Sequence, residues 1–186
     1  MNDLDPEYLG ALEVVSEFFQ VQYPGHSGKC PVITCGDYQV NSEFVTIENT
    51  LFDSGALQAS YISKEWVDKH REHIQRRIRP CRGRVRMADN KTVVEVNERF
   101  RTMVSFTIRE TGEVVAGVVD FWVLDMPGPD SVKAIIGLPD ILKSYLRVFV
   151  SMLEDAAEAV RAGEVFSIQD APMDVHLLMS MSLDEI

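Results

Sequence analysis

"LFDSGALQASYISKEW", residues 51–66, sets a carboxylate between an apolar approach and three small residues, Ser54, Gly55 and Ala56. Asp-Ser-Gly is ordinary turn chemistry, and glycine tolerates the left-handed conformations that turns use. The residue ahead of Asp53 is Phe52, however, and the approach "VTIENTL" alternates and carries β-branched residues. A strand is therefore expected to deliver Asp53 to a tight loop near an apolar interior, a placement that perturbs an acid.

Outward from this loop the chain has a strand-rich texture. Ahead of it, "PVITC", "YQV" and "EFVTIENTLF" are expected strands; after it, "ASYIS" is another, followed by a helix from Lys64 to about Arg77 that Pro80 stops. In "RVRMADNKTVVEV" the polar Asp89-Asn90-Lys91 has the character of a hairpin tip. "RFRTMVSFTI" and "EVVAGVVDFWVLD", joined at "RETGE", form a second hairpin. "VKAIIG" is a short buried strand, "PDILKSYL" one or two helical turns, and "RVFV" closes the strand-rich region.

The ends have another pattern. Asp5-Pro6-Glu7 is a helix start, with Leu9, Leu12, Val15, Phe18 and Phe19 at helical spacing before "YPGHSG" ends it. Ser151 is an expected N-cap for a helix to about Glu164, beyond which periodicity fades into an acidic tail. The organisation is thus a helical extension and linker over 1–29, a β domain over 30–150, and a helix with tail over 151–186.

Composition bounds the class. With 186 residues and 46% hydrophobic content the chain can build one real core. No apolar run nears the roughly 20 residues of a membrane helix, and "MNDLDPEY" lacks a signal-peptide profile, so a soluble cytoplasmic protein is expected. Cys30, Cys35 and Cys81 are odd in number and show no disulfide framework. His26, Cys30 and Cys35 lie close in sequence but lack a fourth ligand at zinc-like spacing, so no metal or other cofactor is expected.

Although the net charge is −11, half of all Lys and Arg fall between Lys64 and Arg86. That belt fits either nucleic-acid phosphates or, more simply, a solvated face balanced by the chain's own acids.

Taken together, Asp53-Ser54-Gly55-Ala56, the following "ASYIS" and helix, "VRMADNKTVVEV", and Ile135-Ile136-Gly137 some eighty residues on resemble the retropepsin family, the single-domain aspartic peptidases of retroviruses and LTR retrotransposons. The resemblance covers roughly Val32 to Val150. It implies a mostly β, closed-barrel half-domain that forms a C2 homodimer, here with helical N- and C-terminal extensions. It further implies an aspartic endopeptidase acting on an extended peptide or the polyprotein of its own retroelement, with Asp53, Ser54 and Gly55 in the catalytic loop. Ala56, the flap residues Met87, Ala88, Asp89 and Asn90, and Ile135, Ile136 and Gly137 would contact substrate or support the site. Each isoleucine is read equally well as ordinary buried packing. Leu138-Pro139, directly after Gly137, departs from the family pattern and puts the dimer-bracing helix in question.

The chemistry accounts for the residue types. Peptide hydrolysis proceeds when one carboxylate takes a proton from water while a second, protonated carboxyl bonds the substrate carbonyl. Close carboxyls share a proton, as the aspartic proteases illustrate. One Asp-Ser-Gly per chain then calls for two chains related by a two-fold axis. Two other classes remain open at this point: a catalytically silent dimerisation or peptide-binding module with the same fold, and nucleic-acid contact through residues 64–86.

Overall fold

The structure is a computed structural model, and it describes residues 7–8, 32–86, 93–126 and 132–162. In chain order the elements are β1 (Glu7–Tyr8), β2 (Ile33–Val40), β3 (Glu43–Asp53), β4 (Ser60–Ser63), α1 (Lys64–Ile74), β5 (Ile78–Arg86), β6 (Val93–Thr107), β7 (Val114–Leu124), β8 (Ala134–Gly137), α2 (Leu138–Asp140) and α3 (Leu146–Arg161). A wide π turn, Ile141–Tyr145, joins α2 to α3.

Strands β6, β2, β3, β8, β4 and β7 pair in that order, and β7 pairs back with β6. The sheet is therefore closed into a barrel, in agreement with the mostly β reading. β8 lies between the consecutive strands β3 and β4, parallel to the first and antiparallel to the second. Residues 54–59 must consequently bridge across the end of β8. β5 projects from β6 as the arm of a hairpin whose pairing reaches Arg86↔Val93. The expected tip, with Met87, Ala88, Asp89 and Asn90, lies outside the described residues.

Strands near the bridge are buried on both faces. Leu51, Tyr61 and Ile135 join one apolar cluster, whereas their chain neighbours Phe52, Ile62 and Ile136 join the other. Double burial explains why "AII" is an unbroken apolar run rather than an alternating one. Phe52 meets Phe106 edge-on at 4.9 Å and stacks with Phe149 at 6.1 Å between centroids. Burying one such side chain stabilises by about 1.5–3 kcal/mol, which fixes the end of β3 that carries Asp53.

Several elements differ from the sequence-based expectations. Glu7–Tyr8 form a short strand parallel to Val85–Arg86 instead of a helix start. The outer edge of β5 offers unpaired backbone groups, which can override a local capping preference. The other residues of the expected N-terminal helix lie outside those described. "PVITC" and "YQV" merge into β2, with a register irregularity between Thr34 and Gly36. Pro80 does not end α1; a 3-10 turn, Gln75–Arg77, does so, and Pro80 sits inside β5 beside its register irregularity. Such a site tolerates a residue with no N–H.

"RVFV" is helical, not a strand. Tyr145, Val148 and Ala159 are buried at helical spacing, and Phe149 and Met152 pack against the same core. Ser151 is accordingly not an N-cap; it lies within α3 and donates to the Glu110 carboxylate at 2.6 Å. The boundary drawn at 150/151 falls inside one continuous helix.

Candidate active site

β3 ends at Asp53, whose register partner across the parallel pair is Gly137. The turn that follows is closed by two backbone amides: Gly55 N–H donates to Asp53 Oδ1 at 2.7 Å, and Ala56 N–H donates to the Asp53 carbonyl at 3.2 Å. Leu138 N–H then donates to the Ala56 carbonyl at 2.9 Å, tying the first residue of α2 to the bridge.

Gly137 is required by proximity, not by its dihedrals. A Cβ there would stand 1.9 Å from the Ala59 carbonyl oxygen and 2.9 Å from that of Ala56. Both are backbone atoms, so neither can move aside as a side chain could.

The two oxygens of Asp53 have different environments. Oδ1 is held by Gly55, whereas Oδ2 is buried with no hydrogen-bond partner among the described residues. Burial disfavours the charged form and pushes the carboxyl up to about 6, with the amides of Gly55 and Ala56 pulling the other way. An acid so placed exchanges its proton near neutral pH. Ser54 and Gly55 are exposed beside it.

Behind the bridge lies a polar pair absent from the expected site residues. Ser60, fully buried, accepts from Gly137 N–H at 2.9 Å and donates to Asp140 Oδ2 at 2.6 Å. Because the amide can only donate, the hydroxyl proton must point to Asp140. Burial raises the Asp140 carboxyl, opposed by the Ser60 bond. This relay joins β4, β8 and α2 directly behind Asp53. Its sequence signal was a serine set in the apolar "ASYI" and an aspartate opening a helix after a proline. Pro139 itself lies in the first turn of α2, where its missing N–H leaves no bond unmade, so the departure at Leu138-Pro139 is compatible with a helix.

Ala56, Ile135 and Ile136 are all fully buried. Ile135 shares a cluster with Ala56 and forms the floor beneath the bridge, whereas Ile136 faces the opposite cluster; none of the three presents surface to a ligand in this chain, which favours the packing alternative for both isoleucines.

Part of the basic belt is paired within the chain. On α1, Lys64 pairs with Asp68 at 2.5 Å, and Arg71 pairs with both Asp68 and Glu98. Arg77 donates to Thr102 and lies over the Phe100 ring. These cations are engaged within the chain. Among the described residues no group of three His, Cys, Asp or Glu side chains is arranged to hold a metal, and Cys35 and Cys81 are free thiols. His26 and Cys30 lie outside the described residues. Among the described residues no helix is long and apolar enough to cross a membrane.

No family model, curated protein or solved structure matches this chain.

Proposed function

We propose that this chain is one half of an aspartic endopeptidase, a retropepsin-like homodimer in which the Asp53 carboxyls of two copies share a water. The single observation that carries the reading is the asymmetry of Asp53, with one oxygen fixed by Gly55 N–H, the other buried and unpartnered, and a carboxyl pushed up to about 6. A second Asp53 brought beside this carboxyl would share one proton with the first.

In the reaction, the ionised carboxyl of the pair takes a proton from water, and the water oxygen bonds to the substrate carbonyl carbon. The protonated carboxyl donates to the carbonyl oxygen, giving a gem-diol. Protonation of the amide nitrogen and loss of the diol proton then break the C–N bond and restore the pair. Gly55 N–H and the packing of Ala56, Ile135 and Ile136 into the two apolar clusters hold each carboxyl in place, and the β5–β6 hairpin is the arm that covers an extended peptide. By the resemblance, the natural substrate is a retroelement polyprotein.

Mixing tests the reading. When wild-type chain and Asp53→Asn chain exchange subunits in equal amounts, about one quarter of dimers retain both carboxyls, so peptide-library cleavage sensitive to pepstatin should fall to about that fraction. A value of one half after verified exchange would mean that each chain acts alone.

A further inference from the structure

Helix α3 is apolar on two faces, and the barrel uses only one. Tyr145, Val148 and Ala159 face the core. Roughly a third of a turn away around the helix, a second row runs through Leu146, Val150, Leu153, Ala157 and Val160. The four large members of that row are 41–50% exposed. The remaining arc carries Arg147, Glu154, Asp155, Glu158 and Arg161.

The exposed row has the alternating four- and three-residue spacing of a helix-pairing seam. The π turn extends it. A π turn holds more residues than an α turn, so Leu142, 60% exposed, falls about one turn ahead of Leu146.

We propose that this second face of α3 is a self-association surface that pairs antiparallel with α3 of another copy of the chain. In that register Val150 lies opposite Leu153 and Leu146 opposite Ala157, so the four central layers are apolar, and Val160 falls opposite Lys143 at each end. The same register sets Arg147 beside Glu154 of the other copy, twice by symmetry. Arg147 already donates to Glu113 from both Nη atoms and keeps its Nε for such a contact. A parallel pairing would lose this complementarity, because Glu154 would then flank Phe149.

The spacing and the charge match argue for a helix like α3 itself. The choice of a second copy rests also on the proposed endopeptidase reading, in which a lone chain is incomplete. Two heptads bury less than the roughly 1,200 Å² of a standard interface, so the pairing is weak and concentration-dependent.

Sedimentation equilibrium on the full chain over a wide concentration series tests this. Wild type, Asp53→Asn and the sheet-surface control Val118→Gln should each show a monomer–dimer equilibrium. The double variant Leu146→Gln/Leu153→Gln should raise the dissociation constant at least about thirty-fold, with circular dichroism unchanged and Tm, read at concentrations below association, lowered only slightly because both side chains are about half exposed. Wild type that stays monomeric throughout, as it would if residues 163–186 covered the face, overturns the proposal; so does a double variant that dimerises normally. Orientation is read by cross-linking in a chain with Cys30, Cys35 and Cys81 changed to serine. Val150→Cys mixed with Leu153→Cys should oxidise to a disulfide-linked dimer more completely than either alone, and equal linking by Val150→Cys alone overturns the antiparallel register. Absence of peptide cleavage in a sample that dimerises through α3 would count against the endopeptidase reading and leave this inference standing.

Discussion

Replacing Asp53 with Asn should alter how stability depends on pH, with a magnitude set by burial. The wild-type carboxyl is raised from 3.8 to about 6. A raised carboxyl means that the folded chain binds the proton more tightly than the unfolded chain does. The resulting stabilisation is fully present below pH 3.8 and is lost as pH rises through about 6. Each tenfold difference in proton affinity between the two states is worth about 1.4 kcal/mol, so the loss between pH 3.5 and pH 8 is about 3 kcal/mol. Asparagine keeps the acceptor for Gly55 N–H and cannot ionise, so the variant lacks this dependence. Its own unpartnered amide adds an offset that drops out when the two pH values are compared. Asp140, Glu98 and Asp68 titrate in both proteins and cancel in the difference. The assay is urea unfolding of both proteins from pH 3.5 to pH 8, followed by tryptophan fluorescence at chain concentrations below association. Asp53→Asn should gain on wild type by about 3 kcal/mol across that range, mostly between pH 4 and pH 7. A difference that stays constant with pH would refute the argument that burial raises Asp53.

Gly137→Ala should be far more damaging than an ordinary small-to-large change, losing at least about 3 kcal/mol because its Cβ meets backbone oxygens; a Tm within a few degrees of wild type would contradict the close crossing. Ser60→Ala should lose about 2–4 kcal/mol by leaving the Gly137 amide and the Asp140 carboxyl unpartnered, whereas Ser60→Thr, if it fits, should recover part of it. Denaturant midpoints of the pair decide whether the relay behind Asp53 supports the bridge.

The site was legible where local chemistry and long-range packing point the same way. An alternating strand ending in Phe52-Asp53-Ser54-Gly55 becomes β3 and its turn, and "AIIG" becomes a doubly buried β8. The strand-rich texture made the mostly β class legible, whereas closure of the barrel was expected only from the family resemblance. Two kinds of feature were not legible. Arg147 to Val150 has the composition of a strand, and only the position of Tyr145, whose hydroxyl donates to the Val104 and Gly117 carbonyls, shows that the chain is already helical there. The Ser60–Asp140 relay joins residues eighty positions apart, and nothing in either local sequence marks the other as its partner. Glu7–Tyr8 follow the same rule: the vacant edge of β5, a tertiary feature, sets their conformation.

The threading of β8 between β3 and β4 also orders events in time. The barrel cannot close, nor can the bridge find its floor, until residues 134–137 are inserted between strands made much earlier in the chain. Such pairing across a long loop is slow relative to local hairpins such as β6–β7. During synthesis the chain therefore carries Asp53 for a long interval as an ordinary solvated carboxylate, and the acid acquires its raised affinity for a proton only when β8 arrives.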